Sequence, residues 1–71
     1  MHDLFETDLI GLTGRISVPV PVGGVGEIII PVEGASQAFT AYTAGGESLP
    51  KNARAAVVEK MGARTVLVTA A

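Results

Sequence analysis

The chain contains no cysteine, no tryptophan, one histidine, one tyrosine and two phenylalanines among its 71 residues. Lack of cysteine excludes a disulfide framework and any thiolate metal site, and it fits a reducing compartment. Cations are few and scattered: Arg15, Lys51, Arg54, Lys60 and Arg64, against a formal net charge of −2. Nucleic-acid affinity rests mostly on Lys and Arg neutralising phosphates, and base stacking needs exposed aromatics, so both shortages argue against an oligonucleotide surface. Mean hydropathy is positive at +0.46, yet no apolar run approaches the ~20 residues needed to cross a bilayer. Nor does a basic segment precede an apolar one, so no signal peptide is visible. What remains is one small domain that folds in water. At this length a chain buries only about 60% of the surface it exposes unfolded, so its core must be compact.

What the chain does have is alternation. From Gly11 to Val32 it reads GLTGRISVPVPVGGVGEIIIPV. Ile16, Val18, Val20 and Val22 alternate with Arg15, Ser17, Pro19 and Pro21, the period-two signature of a half-buried strand. This predicts a first strand over 13–20, with Pro19 and Pro21 placing its end at an edge or rim, because proline has no N–H to give a ladder. The glycine-rich stretch 22–25 predicts a turn. A second strand over 27–32 turns Ile28, Ile30 and Val32 inward and Glu27, Ile29 and Glu33 outward. Gly34-Ala35-Ser36 signals the next turn.

Three more strands follow. Residues 37–43 carry Phe39 and Ala41 on one face, Thr40 and Tyr42 on the other. Gly45 and Gly46 end that strand, and Leu49-Pro50-Lys51-Asn52 continues the loop, with Asn52 suited to left-handed backbone angles. Residues 53–60 set Ala55 and Val57 against Arg54, Ala56 and Val58, although the alanines leave a helix open there. Met61-Gly62-Ala63 predicts a turn into a last strand over 65–69, where Val66 and Val68 face away from Leu67. Five short strands and no internal helix make an all-β chain, and closure into a small, partly open barrel removes the raw edges of a flat sheet. Met1 to Asp8 reads as a flexible lead-in or linker, one helical turn or two at most, and residues 9–71 as the domain.

No catalytic set emerges. Gly23-Gly24-Val25-Gly26 lacks the Gly-Lys-Ser/Thr ending of a phosphate loop and leads into a strand, so it reads as a turn. His2 stands alone beside the chain start, without ligand-type spacing. Ser17, Ser36 and Ser48 have no histidine in the body of the chain to activate them. No acid pair is placed for general acid/base work. Cofactors and metals are not expected. Lys60, within Glu59-Lys60-Met61-Gly62, resembles the modified hairpin-tip lysine of biotinyl and lipoyl carrier domains, but that pattern wants methionine on both sides. A solvated turn lysine is the simpler reading. Tyr42, Ile29 and Val58 fall on outward faces and form a candidate protein-interaction surface.

The ordered set Leu9-Ile10-Gly11-Leu12-Thr13-Gly14-Arg15, Gly26-Glu27-Ile28-Ile29-Ile30, Phe39-Thr40-Ala41, Leu49-Pro50-Lys51-Asn52 and Val57-Val58-Glu59 resembles the C-terminal domain of NfeD-like proteins, over about residues 9 to 69. Asn52 stands where that pattern usually has glycine, and Ala55 where it usually has valine. The resemblance implies a five-stranded, Greek-key OB-fold barrel at the end of a membrane-anchored protein, on the cytoplasmic side. It implies a non-catalytic interaction role beside stomatin- or flotillin-like scaffold proteins, with no nucleic acid and no small-molecule substrate. Longer relatives add a serine-protease domain, and nothing in this chain corresponds to it. Met1 to Asp8 would then lie at the junction with a membrane segment absent from the chain. The alternatives are a nucleic-acid-binding OB module and a carrier domain modified on Lys60.

Overall fold

A computed structural model describes residues 8–71. The readings of His2 and of a short N-terminal helix fall on residues 1–7, outside the described residues. Five strands form: β1 (Thr13–Val18), β2 (Gly26–Val32), β3 (Ala35–Thr43), β4 (Arg54–Gly62) and β5 (Thr65–Ala70). They close into a barrel in the order β1-β2-β3-β5-β4, the expected Greek-key barrel of OB type. Every neighbouring pair is antiparallel except β3 and β5, which run parallel with Tyr42 opposite Leu67. The barrel is closed rather than partly open, because Thr13, Gly14 and Arg15 pair with Ala56, Ala55 and Arg54.

The core follows from the alternation. Ile28, Ile30, Phe39, Ala41, Ala55, Val57, Val66 and Val68 are buried, with Ile16 from β1. Full burial of each such aliphatic side chain contributes about 1.5–3 kcal/mol. Among the described residues no buried side-chain nitrogen or oxygen lacks a hydrogen-bond partner; Thr43, the buried polar side chain, donates from Oγ1 to the Glu47 carbonyl at 2.6 Å. Gly14 is buried where β1 crosses close over β2. A Cβ there would meet the Ile29 carbonyl oxygen and, at 2.9 Å, Ile30 Cγ1, so a side chain would force the strands apart.

Both barrel ends are plugged. At one, Leu9 is buried beneath a turn in which Leu12 N–H donates to the Leu9 carbonyl, while Gly11 N–H donates to the Val57 carbonyl. At the other, Val20 and Leu49 exchange both backbone hydrogen bonds at 2.9 Å and bury their side chains. Pro19 and Pro21 flank Val20. The only N–H of that tripeptide belongs to the paired residue, and its neighbours have none to leave unsatisfied.

Four details depart from the sequence reading. First, β1 stops at Val18, and Val18 and Val22 are exposed (48% and 78%) rather than inward. An irregularity between Ile16 and Val18 in the pairing with β2 breaks the alternation. Second, the segment 19–25 is a connection that crosses to Leu49 and to Gly46, not a tight hairpin turn. Third, the β2–β3 turn is Glu33-Gly34, both at positive φ (50° and 87°), the two-residue geometry that matches strand twist. Ala35 and Ser36 therefore belong to β3. Fourth, β4 is a strand throughout and runs on to Gly62, so the turn is Ala63-Arg64 instead of 61–63.

Candidate functional site

Reactive side chains are sparse among the described residues. Ser17 Oγ donates to Glu27 Oε1 at 2.7 Å, but no imidazole stands among the described residues to take a serine proton. No three of His, Cys, Asp and Glu gather among the described residues. In the glycine-rich connection, Gly23 N–H donates to the Gly46 carbonyl and Gly24 N–H to the Pro21 carbonyl. Those two amides are already spent, one on the β3–β4 connection and one within the loop, and a strand follows. It cannot cradle a phosphate as a helix N-terminus does.

The three surface residues predicted to face outward do so, but they do not form one patch. Tyr42 lies opposite Leu67, and Leu67 lies opposite Glu59, with Val58 in the bulge between Val57 and Glu59. Tyr42, Leu67 and Val58 therefore make a row across β3, β5 and β4. Tyr42 is 38% and Val58 41% exposed, and Leu67 is half-buried between them in register. Ile29, half-buried on β2, has Arg15 and Ala38 as its neighbours. Ala38 is four residues from Tyr42 along β3, so Ile29 stands apart. Leu67 was missed because in sequence it was only the outward partner of two core valines.

Two further features join residues that are distant in sequence. Arg15 and Arg54 sit opposite each other on β1 and β4. Each is held by a neutral group: Arg15 Nη1 donates to Asn52 Oδ1 at 3.0 Å, and Arg54 Nη2 to Thr13 Oγ1 at 3.4 Å. The cations are thus less scattered than the sequence suggested. At the Leu9 end a cleft of about 170 Å³ has Leu9, Val32, Phe39 and Ala63 as its apolar lining and Gln37, Lys60 and Arg64 as its polar lining. The Arg64 guanidinium lies 4.7 Å from the Phe39 ring centre, donates from Nη2 to the Ala38 carbonyl at 2.6 Å and from Nη1 to Gln37 Oε1 at 3.1 Å. Lys60 pairs with Val66 in the ladder. It is a strand residue near the cleft, not the hairpin-tip lysine that a carrier domain requires. The opposite end carries a wide apolar groove between Pro19-Val20-Pro21 and Ser48-Leu49-Pro50.

A family model described as the NfeD C-terminal domain matches residues 13–69. Among solved structures, the soluble domain of the NfeD protein YuaF from Bacillus subtilis is similar with a TM-score of 0.77 at 27% identity, covering 89% of this chain and 74% of that one. The C-terminal domain of stomatin operon partner protein 1510-C from Pyrococcus horikoshii gives 0.70 at 22% identity, covering 89% and 88%. At that identity the second likeness concerns the fold. A comparison with curated proteins finds no match. A family match over nearly the whole barrel leads to one conclusion: the chain belongs to the NfeD C-terminal domain family.

Proposed function

We propose that this chain is a non-catalytic protein-interaction domain of a membrane-associated NfeD-type protein, working on the cytoplasmic side with a stomatin- or flotillin-like scaffold protein. Residues 9–71 are the binding unit and residues 1–8 its linker. The observation that carries the reading is the outward row Tyr42, Leu67 and Val58, an apolar strip on a barrel whose described residues hold no catalytic grouping. Family membership supports it, as does the name of the Pyrococcus relative, a stomatin operon partner. Nucleic acid is a poor fit, because Tyr42 is the exposed aromatic on the barrel wall and stacking platforms use several. Ile29 belongs to a separate part of the contact.

Co-precipitation with the stomatin-like protein of the same genome tests this. Retention by the native chain is expected, with Tyr42→Ser and Val58→Asp each reducing capture and Ile29→Ser reducing it less. Capture by neither the domain nor its longer parent, or capture indifferent to both Tyr42 and Val58, would overturn the reading.

A further inference from the structure

The polar side chains lining the cleft at the Leu9 end are two cations and an amide, with no carboxylate among them. An arginine can only donate, so the Gln37 amide oxygen must face Arg64 and its NH₂ group is left over. Arg64 spends Nη1 and Nη2 hydrogens on Gln37 and the Ala38 carbonyl, is braced against the Phe39 ring, and keeps donors in reserve. Lys60 has no hydrogen-bond or ion-pair partner among the described residues. Asp8, Glu33 and Glu59, each next in sequence to a lining residue, do not themselves line the cleft. A pinned guanidinium, a free ammonium and a spare amide around an apolar floor are complementary to an acceptor-only anion attached to an apolar group. Size narrows the choice. A cavity of about 150 Å³ lined by aliphatic and aromatic side chains holds one benzene, so 170 Å³ takes one side chain, not a nucleotide with its sugar.

We infer that this cleft binds an acidic, apolar peptide segment of a partner protein. A peptide carboxylate meets Lys60, Gln37 and Arg64, and one adjoining aliphatic or aromatic side chain is seated against Leu9, Val32 and Phe39. The inference rests on the protein-interaction reading only in taking the ligand to be a protein; it uses none of Tyr42, Ile29 and Val58. Lys60, set aside as a turn lysine in the sequence, thereby becomes the specificity-determining cation of a second contact.

Amide NMR of the isotope-labelled protein tests it, using a short capped peptide with one leucine between two glutamates and its glutamine analogue. The glutamate peptide is expected to shift Lys60, Ala63, Arg64 and the Gln37 side-chain amide, and the analogue to leave them unmoved. Lys60→Glu should weaken binding roughly tenfold or more, the scale of a lost hydrogen bond to a charged group, with the rest of the spectrum preserved. A peptide ending in a free leucine carboxylate, compared with its amide, tells whether a chain terminus or a side chain supplies the anion; either source supports the proposal. Equal response to both capped peptides, shifts mapping elsewhere, or no shifts at all would overturn it. So would selective binding of phosphatidylserine vesicles or a thymidine strand at the same residues, or self-association through them. Failure here with intact capture through Tyr42 and Val58 removes the cleft alone; loss of both removes the protein-interaction reading.

Discussion

The two ends of the barrel solve one problem in different ways. Each must cover the last layer of Ile, Val and Phe side chains with a residue that is not part of the strands. At the proline end two segments far apart in sequence, 19–21 and 48–50, grip each other through the Val20–Leu49 pair. That grip is extended by Asn52, whose N–H donates to the Ile16 carbonyl at 2.7 Å. At the other end Leu9 lies just upstream of the tie to β4, where Gly11 N–H donates to the Val57 carbonyl and Val57 N–H to the Leu12 carbonyl. Leu9 is itself held by the local bond from Leu12 N–H to its carbonyl. The proline end is a lock between distant parts of the chain. The Leu9 end is a flap beside a cleft with charged walls. Coupling to the whole fold is therefore stronger at the first, and room for a ligand greater at the second.

Truncating the plugs breaks this contrast most directly. Leu49→Ala should cost about 3 kcal/mol and Leu9→Ala about 2, both within the range for buried leucines, because a local turn can detach without unfolding the barrel. Chemical denaturation reads the difference, and equal losses would mean that the ends are equally coupled. A smaller effect is expected in the loop of the proline end. Asn52 has φ 74°, so Asn52→Ala should cost about 1–2 kcal/mol, the scale of left-handed strain, whereas Asn52→Gly should cost only a fraction of that. At the cleft end, Arg64→Ala should lose about 1 kcal/mol through its ring contact and hydrogen bonds. Lys60→Ala, with no partner to lose, should stay within about 0.5 kcal/mol. Thermal melts of the pair check that Lys60 is dispensable for folding.

Much of the core was legible because a period of two survives wherever strands pair without interruption. Ile28 and Ile30, Phe39 and Ala41, Ala55 and Val57, and Val66 and Val68 all face inward as their spacing dictates. Val18 and Val22 broke the rule because the irregularity after Ile16 inserts an offset that no pattern announces. The β2–β3 turn was misplaced by about one residue since Glu33, not a glycine, opens it at positive φ; register with β3 overrides local propensity there. The outward side of the surface was legible at Tyr42 and Val58, but their joining through Leu67 was not, because it depends on which strands become neighbours. The cleft was hidden for the same reason. Gln37 and Phe39 meet Arg64 through the parallel β3–β5 pairing, where Thr40 N–H donates to the Arg64 carbonyl at 2.8 Å.

The β1–β4 seam has a consequence for how the molecule is made. Thr13 pairs with Ala56, so during synthesis β1 waits for β2, β3 and the following loop to be made before it gains its second neighbour. β2 and β3 can form their hairpin early, since only Glu33 and Gly34 separate them. Seam closure must draw together distant residues, and such non-local pairing is slow. During synthesis β1 is therefore an exposed edge, and Thr13 to Val18 is the stretch that has to be kept from pairing with another nascent copy.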